Sequence, residues 1–272
     1  MFKFFSQIQN QRKLKLTESF TNLNSMQAEA SLPLKLDIAD ASEVLVFAPH
    51  PDDECIGCGG ILALLAKQST VNIKVVLITN GDGGVNSPEP DMGPRRENEM
   101  RKALSILGIE QLECLRYPDG RFELNNEFIN RIESILISFN PKWVLLPSPI
   151  DYHKDHLLSS NVISSQCLNH QNIEKLIFYE TWCPVPATHT LDITDVMNVK
   201  IKALQQHESA MKYGDYVRCI SALNTYRGLY LGFDRYAEAF LVHQLKDSKR
   251  SEFPLTKFIE LGIYLKNLLA ST

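Results

Sequence analysis

Two short segments concentrate the residues able to do chemistry. His50-Pro-Asp-Asp-Glu54 packs an imidazole and three carboxylates into five positions, and Asp151-Tyr-His-Lys-Asp-His156 adds two imidazoles and two carboxylates. Between them they hold three of the chain's seven histidines. Imidazole nitrogen with carboxylate oxygen is the ligand set of a catalytic zinc or similar divalent ion, which keeps one position open for water. His50 and Asp53 are three apart, so a helical turn there would converge their side chains while Asp52 faces elsewhere. The third ligand must then come from the other segment, where His153 and His156 repeat the same spacing. Either segment alone would also serve as a turn and helix entry, with Asp52 or Asp53 as a cap. Occurring together, they read as a metal site.

The surrounding pattern supplies the scaffold. Val44-Leu-Val-Phe-Ala48 is an apolar run ahead of the first segment, and Lys142-Trp-Val-Leu-Leu-Pro147 is one ahead of the second. Further strands are expected over 73–79, 112–117 and 175–182. Helices are expected over 61–67, after a glycine-rich loop, and over 95–107, 127–139 and 156–168, with Gly108 closing the second of these. Strands alternating with helices imply a parallel sheet with crossover helices, an α/β doubly wound architecture. In such sheets chemistry gathers beyond the carboxyl ends of the strands, where both segments fall. Residues 83–94, rich in Gly and Pro, read as a long loop. Helical patterns at 196–211 and 253–269 and a strand at 237–242 complete the reading.

The 272 residues suit one large domain. Apolar residues at 44% and charged residues at 22% exclude disordered or fibrous chains. Net charge is −4, with a pI near 6.0, so no general basic field exists to hold nucleic acid. Small-molecule or neutral partners are favoured. Six scattered cysteines do not make a disulfide framework and suggest a reducing compartment. No signal-peptide or membrane-spanning pattern is found, so a cytoplasmic protein is expected. Residues 1–42 read as an extension packed on or leading into a domain over 43–272. Its start, with Phe2, Phe4, Phe5 and several basic residues, fits a docked strand or helix better than a membrane-surface arm.

With the motifs in view, a resemblance becomes specific. Ala48-Pro-His-Pro-Asp-Asp-Glu54 followed by Gly57-Cys-Gly-Gly60 resembles the signature of the LmbE-like/PIG-L family of zinc-dependent N-deacetylases, with Pro49 set before the histidine. Thr79-Asn-Gly-Asp82, Arg96-x-x-Glu99, Pro118-Asp-Gly120 and His153-Lys-Asp-His156 follow in the family's order, and Lys202, His207 and Ser209 resemble a weaker closing element. The resemblance implies a Rossmann-like, mostly parallel sheet with helices on both faces. It also implies removal of acetyl groups from N-acetylated amino sugars, often N-acetylglucosamine in a glycoconjugate. Carried onto this sequence, the metal ligands are His50, Asp53 and His156, the general base is Asp52, and His153 stabilises the oxyanion. A carboxylate beside a metal can deprotonate its bound water, and amide attack then creates an oxyanion that needs a donor. Zinc is the expected metal, with iron(II) or another divalent ion admissible.

Supporting roles fall to Asp155 and Asp151, either of which can orient one of the two histidines between or beside them, and to Glu54, which can fix its loop through backbone N–H groups. Arg96 and Asp82 are candidates for substrate contact, as are Arg218 and Arg227 within 211–272, a region expected to form substrate-side loops and a C-terminal helix. Cys55 and Cys58 read as small buried thiols rather than a redox pair. Two other functions stay open: a metal amidase acting on a thiol-sugar conjugate or an antibiotic intermediate, and a non-catalytic Rossmann-like binding domain. The intact set of His50, Asp52, Asp53, His153 and His156 disfavours the second. A homo-oligomer is compatible with the sequence.

Overall fold

The computed structural model describes residues 32–83 and 91–245. The first 31 positions, most of the 83–94 loop and the helix expected over 253–269 therefore lie outside the described residues. The strands are β1 (Leu34–Lys35), β2 (Glu43–Ala48), β3 (Asn72–Thr79), β4 (Gln111–Tyr117), β5 (Trp143–Pro147), β6 (Lys175–Tyr179), β7 (His189–Asp192) and β8 (Ala237–Gln244). They form one sheet in the order β1-β7-β8-β6-β5-β2-β3-β4. Every pairing is parallel except those of β8, which runs antiparallel to both β6 and β7. β1 and β7 were not expected from the sequence, and β1 lies in the stretch read as an extension. The strand expected to reach residue 182 stops at Tyr179.

Alternating side chains divide the core into two layers, as period-two strands buried on both faces require. Val44, Val46 and Ala48 of β2 face α1 (Asp53–Leu65), α2 (Met92–Leu107) and α5 (Met197–Leu204), while Leu45 and Phe47 face α3 (Asn126–Phe139) and α4 (Lys154–Cys167). Local chemistry sets several helix ends. Asn125 Oδ1 accepts the Phe128 N–H at the start of α3, and Gly108, at φ 82°, closes α2 in the left-handed conformation that costs glycine least. The region expected as one helix over 196–211 is α5 followed by the single turn α6 (Glu208–Met211), and α7 (Tyr216–Gly228) was not foreseen.

From β2 the chain winds outward through β3 and β4, then returns to the other side of β2 through β5 and β6. The strand order thus reverses between β2 and β5, which pair directly through Val44–Trp143 to Val46–Leu145. The loops leaving these two strands thus flank the strand-order reversal, the position where doubly wound sheets bind ligands.

α1 starts at Asp53, eight residues earlier than the periodicity suggested, and is broken at Cys58 (φ −142°, ψ 18°). The break leaves the amides of the second half without intrahelical acceptors. Glu238 of β8 supplies them: Oε1 accepts the Gly60 N–H at 2.6 Å and Oε2 accepts the Ile61 N–H at 2.8 Å. Lys200 balances that buried carboxylate at 2.7 Å and also donates to the Ile56 carbonyl at 3.0 Å. The buried lysine is therefore Lys200, whereas Lys202, which the sequence pattern singled out, is exposed. Gly57 lies directly against the Tyr179 ring, and a Cβ there would collide with it. These contacts let the first helical turn sit tightly over the end of β2.

Candidate metal centre

The loop after β2 folds back on itself. The His50 N–H donates to Asp53 Oδ2 at 2.8 Å, and Asp52 adopts φ 135°, a region L-residues rarely occupy. Glu54 holds this turn from below: Oε2 accepts the Asp52 N–H at 3.1 Å, while Oε1 lies 2.8 Å from His207 Nε2 and accepts the Cys55 thiol. Cys55 and Cys58 are buried and free, with burial first and Glu54 or Glu238 next among the causes that push both thiols well up.

Side chains from the two loops then meet. His50 Nδ1 is 3.1 Å from His156 Nε2, His156 Nε2 is 3.1 Å from Asp53 Oδ2, and His50 Nδ1 is 3.4 Å from Asp53 Oδ2. Tetrahedral bonds of about 2.0–2.2 Å to imidazole and carboxylate separate ligand atoms by about 3.3–3.6 Å. The triangle is only slightly tighter than that, so the three atoms fit one divalent cation. His153 stands beside it, its ring centroid 4.5 Å from that of His50 and 5.0 Å from that of His156. A ring nitrogen from each of the three histidines lies within 4.8 Å of the others.

Outer groups orient the inner ones, as metal-ligating imidazoles require. His50 Nε2 faces Asp119 Oδ1 at 3.1 Å and Asp155 Oδ2 at 3.2 Å, carboxylates that favour a proton on Nε2, so Nδ1 is the nitrogen that could serve as a metal donor. His156 Nδ1 faces Asp151 Oδ1 at 3.4 Å. Asp151 is itself tied down by the His153 N–H at 2.8 Å and the Trp182 N–H at 3.1 Å. Asp155 thus turns to His50 rather than to either neighbouring histidine. The His153 ring caps α4, Nδ1 accepting the Asp155 N–H at 3.2 Å, so a neutral His153 carries its proton on Nε2.

Electrostatics follow the geometry. Burial works against the Asp53 carboxylate, but His156 and His50 outweigh it and hold its pKa well below the usual range. Burial likewise opposes charge on His50 and His156, yet the facing carboxylates win: His50 rises well above its ordinary value, and His156 rises to about 9. Asp52 is pushed up to about 6, chiefly by burial, with Arg96 pulling the other way. Burial and the two neighbouring imidazoles lower His153 to about 4.

Arg96, on the first turns of α2, reaches the loop that carries Asp52. It donates to the Pro51 carbonyl at 2.9 Å and the Gly81 carbonyl at 3.1 Å, and lies 3.3 Å from Asp52 Oδ2. Asp82 pairs with Arg121 at 3.2 Å. The other two arginines are engaged elsewhere. Arg218 pairs with Asp215 on the exposed start of α7, and Arg227 is held by Glu180 and the Val185 carbonyl. The structure brings neither of them to the histidines. Residues that sequence reasoning left without a role include Asp119, inside the quoted Pro118-Asp-Gly120 motif, and His207 under Glu54. Their places depend on contacts spanning 69 and 153 residues, which no local pattern displays.

Fold and site together define a doubly wound α/β protein with a candidate metal-binding cluster where the strand order reverses: two imidazoles and a carboxylate whose nearest atoms lie 3.1–3.4 Å apart, with a further carboxylate beside them. The chain belongs to the PIG-L family, the GlcNAc-PI de-N-acetylases, whose family model matches residues 45–167. It is 30% identical over 220 residues to the diacetylchitobiose deacetylase of Thermococcus kodakarensis, covering 71% of this chain and 80% of that protein. It is 31% identical over 176 residues to the uncharacterized deacetylase YaiS of Escherichia coli K12, covering 61% of this chain and 90% of that one. The fold matches the N,N'-diacetylchitobiose deacetylase of Pyrococcus horikoshii with a TM-score of 0.67 at 23% identity, over 88% of this chain and 97% of that one. Among the described residues, no helix is long and apolar enough to cross a membrane.

Proposed function

We propose that this chain hydrolyses the acetamido group of an N-acetylated amino sugar, with His50, Asp53 and His156 holding a divalent metal, most simply zinc. The observation that carries the reading is the triangle of His50 Nδ1, Asp53 Oδ2 and His156 Nε2. The relatives named for deacetylation of acetylated sugars support the substrate class. A divalent cation there supplies the positive charge that makes a bound water acidic and polarises the amide carbonyl.

The chain's own groups do the rest. Asp52 stands next to the ligand triangle without belonging to it, with a proton affinity raised toward neutrality by burial. It therefore suits a base that takes a proton from water and returns it to the departing amine. Arg96, 3.3 Å from Asp52 Oδ2, favours the ionised carboxylate before reaction and lies where sugar hydroxyls would pass. His153, with its Nδ1 occupied by the Asp155 amide, can turn an Nε2–H toward the developing oxyanion. Asp119, Asp155 and Asp151 keep the ligating imidazoles in the required tautomers. Asp82 is assigned a place at the sugar-facing rim.

The test is elemental analysis of the purified protein joined to an acetate-release assay on N-acetylglucosamine conjugates, before and after chelation. About one metal per chain and chelator-sensitive acetate release are expected. A protein that cannot be loaded with a divalent metal would overturn the site, and a loaded protein inactive on every acetylated amino sugar would overturn the substrate class.

A further inference from the structure

We propose that His207 is a positioning residue for the base Asp52, acting through Glu54, and that the short segment 207–209 braces Asp52 from two sides. The inference rests on the deacetylation reading above and deepens it by naming what holds the base in a conformation that its own backbone disfavours.

Asp52 stands at φ 135°, so neighbours have to enforce its place. Two contacts do this. Its N–H donates to Glu54 Oε2 at 3.1 Å, and its Oδ2 lies 3.3 Å from the Arg96 guanidinium. The segment 207–209 reaches the element behind each contact. Glu54 Oε1 is 2.8 Å from His207 Nε2, across 153 residues of sequence. On α2, Glu99 follows Arg96 by one helical turn and accepts the Ser209 hydroxyl at 2.8 Å and the Ser209 N–H at 3.2 Å. One short stretch of chain therefore supports the backbone of the base through Glu54 and the helix carrying its arginine through Glu99.

Packing alone does not account for His207. The residue is fully buried, and its Nδ1 has no hydrogen-bond partner among the described residues. An imidazole with one nitrogen unpaired carries a desolvation cost that an apolar ring of the same size would avoid. What the imidazole adds is a directed N–H. A carboxylate only accepts, and Glu54 already takes the Asp52 N–H on Oε2 and the Cys55 thiol on Oε1, so His207 is the donor in the third contact. Burial opposes charge on His207, but Glu54 and then Asp52 prevail and raise its pKa, which keeps an N–H on the nitrogen facing Glu54. Among the described residues His207 makes no hydrogen bond to His50, Asp53 or His156. Its loss should therefore spare the proposed metal ligands and disturb the base.

The experiment uses the metal-loaded full chain and two probes, the methyl glycoside of N-acetylglucosamine and its β-1,4-linked disaccharide. It reads kcat, KM, metal content and the exchange rate of the Asp52 amide proton by NMR. His207→Phe keeps the ring volume without the donor. It is expected to bind metal as the native chain does, to lose about 10²-fold in kcat with KM little changed, and to exchange the Asp52 amide proton about tenfold faster. His207→Gln, which returns an N–H near the place of Nε2, should recover most of the rate. A native kcat in His207→Phe overturns the proposal, as does a His207→Gln no faster than His207→Phe at equal metal content, since a packing role predicts that result. If His207→Phe does not fold, His207→Gln is compared with His207→Asn, whose amide falls near Nδ1 instead, and equal rates overturn the proposal. If neither probe releases acetate from the native chain, the deacetylation reading fails and amide exchange decides the positioning role alone: an unchanged Asp52 rate in His207→Phe overturns it.

Discussion

Asp52 and His50 lie two residues apart and have opposite roles in the proposed centre, one as base and one as ligand, so substituting them should separate binding from turnover. Asp52→Ala is expected to keep its metal while acetate release falls about 10²–10⁴-fold, the usual contribution of a positioned proton-transfer group. His50→Ala should lose both. Elemental analysis beside the same assay makes the comparison, and equal metal loss in the two variants would place Asp52 among the ligands. Asp151 acts at one remove: Asp151→Asn weakens its hold on His156 and should lower metal affinity about 10–100-fold, read by titration against a competing chelator. Much of this site was legible in sequence, because His50, Asp52, Asp53, His153 and His156 occupy two short segments with helical spacing. Asp119 was quoted within a motif yet given no task, since nothing in Pro118-Asp-Gly120 indicates that His50 Nε2 lies 3.1 Å away. Arg227 was equally illegible in its surroundings: nothing near the end of its helix announces that Glu180, more than forty residues away in sequence, holds it.

At the scale of elements, the central strands were readable because β2, β3, β5 and β6 are apolar runs buried on both faces, and α2 and α3 carry apolar stripes at helical spacing. The edge strands β1 and β7 are only two and four residues long and offer too little pattern to detect. α7 escaped because its buried face consists of Ile220, Asn224 and Gly228, with no apolar stripe. The onset of α1 was misplaced for a more instructive reason. Glycines at 57, 59 and 60 normally signal a loop, but Glu238 supplies the acceptors that let a kinked helix run through them. Glu238→Gln would leave Lys200 as a buried charge without its partner and is expected to destabilise the fold by about 3–5 kcal/mol. Gly57→Ala should also destabilise, by about 1–3 kcal/mol or more, because its methyl would displace Tyr179 from beneath the first turn. Urea unfolding of both variants measures these losses.

For the whole molecule, a metal at the proposed site would tie together loops from the two halves of the sheet. A cation that binds only the folded chain stabilises it by about 2.7 kcal/mol at a hundredfold excess over Kd. Chelation should therefore lower the Tm of the native chain and leave that of His50→Ala unmoved, as read by a thermal scan. The clasp between Glu238 and the kinked helix carries a consequence in time. Gly60 and Glu238 are 178 residues apart in sequence, so the brace beneath the catalytic turn cannot close until nearly all the described chain is available. Contacts this distant in sequence form late, because a long stretch of chain must be ordered before they are rewarded. A nascent chain paused before β8 can pair β2 with β3 and build most of the parallel sheet, yet its metal loop lacks the support that sets its shape. Metal capture at the proposed site would then report that β8 has docked, and chains truncated before Ala237 should take up metal poorly even where their parallel strands have formed.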